Sequence, residues 1–283
     1  MKKYSKQIVF LNGEMIAANS SLLSRLTPCL MEWKGAFETM RVCNGKILLV
    51  NEHMNRLLRG LKILGVKCIY SKKNMISCMR RTLDANGLKD ARLRLIIRKY
   101  NRKIDISVVA SAYHPFSIRK YKNGFRAVLA KDRYKGKLPL SNVKAIDYGF
   151  YCKAYLQASR QGCDEAIILN RQGYVVEGSH TNIFLVQNKS LITPSLKCGC
   201  LNGIIRKVVI GLAKEKGIKC KATFIRLENF MEAEEAFLTN SLIGIMPVTC
   251  VNNQKINKGR VGSLTSRLTE SYKYFVNYYL KKD

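Results

Sequence analysis

Long hydrophobic runs are missing from this chain. No stretch approaches the roughly 18 apolar residues a membrane helix requires. The apolar run near the N-terminus is only "IVFL", too short for a signal peptide, so "MKKYSKQIVFLNGEM" reads as a first strand turning at Asn12-Gly13. The dinucleotide motif G-x-G-x-x-G and the nucleotide loop G-x-x-x-x-G-K-[ST] are also absent. Histidine occurs three times, as His53, His114 and His180, far apart in sequence. No Ser-His-Asp or Cys-His arrangement stands out. The ten cysteines are scattered, and the one close pair, Cys198-x-Cys200, has no neighbouring histidine. No zinc site is expected, and reduced thiols in a cytoplasm are. Acidic side chains are scarce: 19 Asp and Glu against 50 Lys and Arg give a formal charge of +31.

What is present is enough for a substantial core, since 47% of the 283 residues are hydrophobic. Residues 61–140 alone carry 21 basic and 4 acidic side chains. Such a field draws in anions, nucleic acid and phosphorylated cofactors among them. The basic residues are interleaved with strand-like alternation, and no nucleic-acid motif accompanies them, so a solvated basic face is the preferred reading.

"FETMRVCNGKILLVNEH" reads as a hairpin with a Cys-Asn-Gly turn and a second strand "KILLV". Asn51 is placed as the N-cap of a helix with Leu57, Leu61 and Leu64 on one side and Gly65 as its stop. A second helix ends at Asn86-Gly87. "ARLRLIIRKY" and "KIDISVVASAY" are strands with basic residues on one side. Gly, Pro and charge crowd the stretch from 114 to about 140, and the interdomain connection is placed there. Residues 147–161 suit a helix. "DEAIILN", "GYVVEGS", "TNIFLVQ" and "SLITP" form a β-meander. Asn202-Gly203 opens a helix striped by Ile204, Val208 and Leu212, with Ile205 and Val209 beside them. Mixed strands and helices in two unequal halves give an α/β (α+β mixed) chain of two domains: 1–120, a connection over 121–135, and 136–283.

Four features carry chemistry. Lys144, in "VKAIDYGFY", stands alone among small, apolar and aromatic neighbours. It is either a solvated side chain or a Schiff-base lysine, which needs desolvation to become an uncharged amine. Glu177 ends "GYVVEGS"; by alternation it shares a face with Val175. It is either a strand-end carboxylate or one kept charged against a cation, such as a protonated pyridine nitrogen. The turn at Ile204-Ile205 offers helix N-terminal amides to a phosphate. Arg56, beside Leu57-Leu58, is a helix-surface arginine or a second phosphate ligand.

The order of these features resembles the class IV, fold-type IV aminotransferases, which use pyridoxal 5'-phosphate. The matching stretches are "GAFETMRVCNGKILLVNEHMNRL", "VKAIDYGFY", "GCDEAIILNRQGYVVEGSHTNIFLV", "ITPSLKCGCLNGIIRKVVIGLAKEKGI" and "EAFLTNSLIGIMPV", with a weaker "GRVGSLTSRL". The resemblance implies a two-domain fold with the cofactor between the domains, a homodimer and a small anionic substrate. It implies that Lys144 bonds the cofactor, Glu177 pairs with its pyridine nitrogen, and Arg56 with the Ile204 and Ile205 amides holds its phosphate. It places Ser241 at the phosphate edge, Leu201 against the ring and Tyr148 near the ring oxygen.

The chain departs from the family pattern at Glu32-Trp33 in place of Tyr-Gly, at Asp147 in place of Asn, at Arg98-Lys99-Tyr100 in place of Thr-Arg-Gly, and at Ile205 in place of Thr. "FETMR" and "K-x-x-[ND]-Y" look most like aminodeoxychorismate lyase, which makes 4-aminobenzoate and pyruvate on the folate route; Thr39 matches a proton-relaying threonine there. A branched-chain or D-amino acid aminotransferase is the alternative expectation, and a basic nucleic-acid-binding protein on an enzyme fold a remote third.

Overall fold

The computed structural model describes residues 7–19, 33–136 and 138–282. The chain divides into two compact units, Met1–His114 with Val143–Tyr148, and Pro115–Asn142 with Gly149–Asp283. This differs from the expected division at one telling place: the short segment holding Lys144 packs with the N-terminal unit, not with residues 136–283.

The first unit is built on an antiparallel sheet. Its strands are β1 (Ile8–Leu11), β2 (Glu14–Ala17), β3 (Lys34–Cys43), β4 (Lys46–Ile47), β5 (Ala91–Tyr100) and β6 (Lys103–Ala112), in the order β2-β1-β6-β5-β3-β4. β1 and β2 form the hairpin expected at Asn12-Gly13. Helices α1 (Val50–Ile63) and α2 (Lys72–Ala85) cover one face. Met54, Leu57 and Leu61 of α1 and Met75, Met79 and Leu83 of α2 meet Ala36, Met40 and Val42 of β3 there, with the odd-numbered Leu93, Leu95 and Ile97 of β5. Period 3.6 in the helices and period 2 in the strands thus converge on one apolar layer.

Two local expectations give way. β4 is only two residues long, because the chain turns at the buried Leu48-Leu49 to enter α1. Asn51 is not the N-cap; Leu49 is, in the left-handed region at φ 54°, and no side chain caps the helix. The stop holds: Gly65 follows the C-cap with φ 68°, where a Cβ would be strained.

The second unit holds β7 (Phe125–Leu129), β8 (Glu165–Leu169), β9 (Val175–Gly178), β10 (Asn182–Gln187), β11 (Ser190–Pro194), β12 (Cys220–Thr223), β13 (Glu235–Asn240), β14 (Gly244–Val251) and β15 (Gln254–Lys255). The order is β12-β11-β10-β13-β14-β7-β8-β9, with β15 on β14. The stretch expected to be a connection contains α3 (Ile118–Asn123) and β7, which lies parallel between β14 and β8. Its alternating Phe125 and Ala127 are buried, but five residues amid charges make a weak signal.

The expected β-meander is two hairpins. β8 pairs β9 and β10 pairs β11, but β13, β14, β7 and β8 lie between β9 and β10 in the sheet. The corner joining β9 to β10 is tied instead to Glu165. That buried carboxylate accepts from the Ser179 amide at 2.9 Å, the Ser179 hydroxyl, the His180 amide at 3.2 Å and the Thr181 hydroxyl at 3.0 Å. Helix α4 (Gly149–Arg160) covers one face through Ala154 and Ala158. Helices α5 (Ile204–Glu215), α6 (Leu227–Met231) and α7 (Ser263–Lys281) complete the unit. Among the described residues no helix is long and apolar enough to cross a membrane, and no group of metal-ligating side chains forms.

Candidate active site

Lys144 owes its setting to the edge of a sheet. Beyond β4, the free edge of β3 takes up the segment Val143–Tyr148: the Phe37 amide donates to the Lys144 carbonyl at 3.0 Å and the Ile146 amide to the Gly35 carbonyl at 3.0 Å. Small and apolar neighbours are needed for that packing. Val143 lies against Gly60 of α1, where a Cβ would press on its Cγ1 at 3.0 Å, and Ile146 is buried with Phe37 and Ile96. The half-buried Lys144 directs Nζ over two rings, 4.5 Å from the centroid of Phe37 and 5.5 Å from that of Tyr148. Tyr148 thus lies beside the lysine and stands edge-on to Phe37 at 5.5 Å. Asp147, between them, is exposed.

Arg56 is held by a residue the sequence reading did not single out. Glu38 interrupts the apolar set Ala36, Met40 and Val42 on the helix-covered face of β3. Helix α1 answers with His53 and Arg56, three residues apart and so on one side. Arg56 Nε donates to Glu38 Oε1 at 2.7 Å and Nη2 to Oε2 at 2.6 Å, and His53 Nδ1 lies 2.7 Å from Oε2. Burial by itself raises the Glu38 acid, but the Arg56 charge and hydrogen bonds, helped by His53, outweigh it and hold it at about 2. Burial pulls His53 below its ordinary value, with the Arg56 and Lys144 charges adding to burial against Glu38. The ring is neutral at pH 7 and donates from Nδ1. A carboxylate where alternation asks for an aliphatic, with "H-x-x-R" downstream, was the legible signal.

Glu177 is buried, and alternation misplaced it. A bulge in β9 pairs Leu169 with Val175 but Ile168 with Glu177. Val176 is the extra residue, so Glu177 turns to the face of Ile168 and α4 rather than sharing a side with Val175. There it accepts three hydrogen bonds: from Tyr151 Oη at 2.9 Å, Asn182 Nδ2 at 3.2 Å and the Leu201 amide at 2.9 Å. Leu201, expected against a ring, is half-buried, and its backbone joins this cluster; Asn182 Nδ2 also donates to its carbonyl at 2.8 Å. Asn182 closes the "EGS-x-x-N" block that begins at Glu177, whereas Tyr151 carries no local sequence signal for this role.

The turn into α5 is wired to the same cluster. Gly203 is its N-cap, and no side chain caps the helix. A Cβ at 203 would overlap Asn182 Oδ1. The side chains of Ile204 and Ile205 are buried, so at these two positions the backbone amides are the free polar groups, while the buried Arg206 is turned back to Thr193 and the Pro194 carbonyl. Ser241 lies half-buried in the turn from β13 to β14, where Asn240 Oδ1 accepts from the amides of Leu242 and Ile243, each at 2.9 Å.

Thr39 is half-buried on the sheet face of Phe37, opposite the face that carries Glu38. That face is rich in arginine. Thr39 pairs with Arg94, Arg41 with Arg92, and Gly35 with Arg98. Two departures from the family pattern meet here. Trp33 stacks on Tyr100 at 5.1 Å, and the Arg98 guanidinium lies 4.5 Å over the Trp33 ring. Arg98 Nε is 3.7 Å from Asp105. Glu32 lies outside the described residues.

One protein family matches this chain over most of its length. Its description is amino-transferase class IV, and its model matches residues 35–251. The chain belongs to the class IV aminotransferases. A Methanocaldococcus jannaschii protein bearing the name "Putative branched-chain-amino-acid aminotransferase" is 32% identical over 94% of this chain and 95% of its own. The aminodeoxychorismate lyase of Bacillus subtilis is 29% identical over 94% of each. The solved structure of a branched-chain aminotransferase from Thermoproteus uzoniensis, with norvaline, superposes with a TM-score of 0.85 at 29% identity, covering 98% of this chain and 96% of that one.

Class IV aminotransferases are pyridoxal 5'-phosphate enzymes of fold-type IV, and this chain is one of them. Its residues fit the group: an amine among rings suits an aldehyde, and a buried carboxylate held by neutral donors suits a pyridine nitrogen.

Proposed function

We propose that the protein is an amino acid aminotransferase acting on branched-chain substrates. The observation that carries this is the 29% identity and TM-score of 0.85 to the T. uzoniensis branched-chain aminotransferase, with 32% identity over 94% of the chain to the M. jannaschii protein named "Putative branched-chain-amino-acid aminotransferase". The lyase expected first from "FETMR" is thereby moved to second place.

In this reading Lys144 bonds the cofactor aldehyde, and Glu177 faces the pyridine nitrogen. Arg56 spends its Nε and Nη2 edge on Glu38 and offers the rest of its guanidinium to the phosphate. The amides of Ile204 and Ile205 and the hydroxyl of Ser241 complete the phosphate site. Leu201 lies against the ring and Tyr148 near its oxygen. When bound, the cofactor supplies an electron sink for the carbanion of the substrate. Lys144 Nζ takes the proton from the substrate carbon and returns it, as base and then acid. The Phe37 and Tyr148 rings set the direction of Nζ.

The second reading, aminodeoxychorismate lyase, is favoured by one feature: Arg41, Arg92, Arg94 and Arg98 share the sheet face of Thr39, a field suited to a substrate with two carboxylates. Thr39 would relay the proton there. The two are separated by mixing the purified yellow protein with leucine, valine or isoleucine. Transamination bleaches the visible band of the lysine-bound cofactor, and a 2-oxo acid restores it. Release of 4-aminobenzoate and pyruvate from aminodeoxychorismate, with no response to the amino acids, would replace the first reading by the second.

A further inference from the structure

We infer that Tyr151 is a positioning residue for Glu177, holding its carboxylate toward the ring nitrogen of the cofactor. The inference rests on the reading that Glu177 meets that nitrogen. Glu177 takes all three of the bonds described above from neutral groups. Two of them, from Asn182 Nδ2 and the Leu201 amide, converge on Oε2. Tyr151 alone of the three donates to Oε1, at 2.9 Å. It ties down the oxygen opposite the one held by Asn182 and Leu201, so both carboxylate oxygens are anchored.

Tyr151 is itself held. Burial, then the Glu177 charge, push its phenol well above the ordinary range, so it remains a donor at any working pH, and Tyr134 hydrogen-bonds to it. The two rings are 5.6 Å apart, and Phe150 lies 5.5 Å from Tyr134. Tyr134 in turn packs on Gly199, where a Cβ would lie 3.1 Å from its ring. Gly199 stands two residues before the Leu201 amide. Tyr134 thus packs beside both Tyr151 and the turn that leads to Leu201.

The test is equilibrium dialysis of pyridoxal 5'-phosphate, and of its analogue with carbon in place of the ring nitrogen, against apoprotein. Wild type, Tyr151→Phe, Glu177→Gln and the double variant are compared, with thermal melting as a check that each is folded. Losing one hydrogen bond to a charged group weakens the natural cofactor about tenfold in Tyr151→Phe. The carbon analogue loses nothing, and in the Glu177→Gln background the Tyr151 change adds nothing. An equal loss for both ligands, no loss, or a full loss persisting in Glu177→Gln overturns the inference. If Glu177→Gln itself fails to discriminate nitrogen from carbon, the Glu177 reading falls, and the inference with it.

Discussion

Lys144 and Glu38 show how little of a residue's role lies in its own chemistry. Lys144 is one of 50 basic side chains, distinguished by the rings of Phe37 and Tyr148 within 5.5 Å of Nζ. Lys144→Ala removes the amine altogether. The variant is expected to bind cofactor without the visible lysine-linked band, and to lose turnover on the order of 10³-fold or more. A variant retaining both band and turnover would mean another lysine carries the chemistry. Glu38 makes no claim on substrate, yet Arg56 takes its direction from it. The depressed acid contributes stability that is complete above its ordinary value of 4.5 and is lost as pH falls toward about 2. Denaturant melts of wild type and Glu38→Gln across pH 2 to 7 are expected to differ by about 3 kcal/mol near neutrality, because the variant leaves Arg56 without its buried partner. The gap should narrow as pH falls below about 4.5 and close only near about 2. A gap independent of pH would show that packing, not charge, is lost.

Among the elements, β9 and the turn into α5 decide the geometry around Glu177. Without the bulge at Val176 the carboxylate would face away from Tyr151 and Asn182. The turn at Gly203 has no space for a side chain. Gly203→Ala forces Asn182 to swing off both Glu177 and the Leu201 carbonyl. Two lost hydrogen bonds in a buried cluster amount to about 2 kcal/mol, a fall of roughly 5 °C in the melting temperature of the apoprotein. Calorimetry reads this directly, and an unchanged melting temperature would show that Asn182 is not confined as described. Trp33 and Arg98 teach a related lesson. In sequence they are separate oddities, 65 positions apart; in the fold one lies over the other at 4.5 Å.

For the whole molecule the charge of +31 is the dominant property. A basic field raises the local concentration of anionic substrates and is screened within about 10 Å at 0.1 M salt. The value of kcat/KM for 2-oxo acids is expected to fall several-fold between roughly 0.02 and 0.5 M salt, with kcat nearly constant. Duplex DNA followed by fluorescence polarisation is expected to bind only at the low end of that range and without sequence preference. Tight, sequence-selective binding at about 0.2 M salt would revive the nucleic-acid reading.

Sequence by itself determined the family, the mixed α/β class and the residues expected to hold the cofactor. These reside in local order: a turn before a helix, a glutamate at a strand end, a lysine without charged neighbours. The first hairpin, the helix stop at Gly65 and the helix after Gly203 were legible for the same reason, since backbone punctuation acts over a few residues. What tertiary structure decided was partnership. The Lys144 segment joins the first unit because β3 has an open edge, more than 100 positions upstream. Glu177 faces Tyr151 because a bulge shifts the register by one. The β9–β10 corner is tied to Glu165 rather than continuing a meander. Each depends on which distant backbone satisfies a hydrogen bond, and periodicity along one strand carries no record of that.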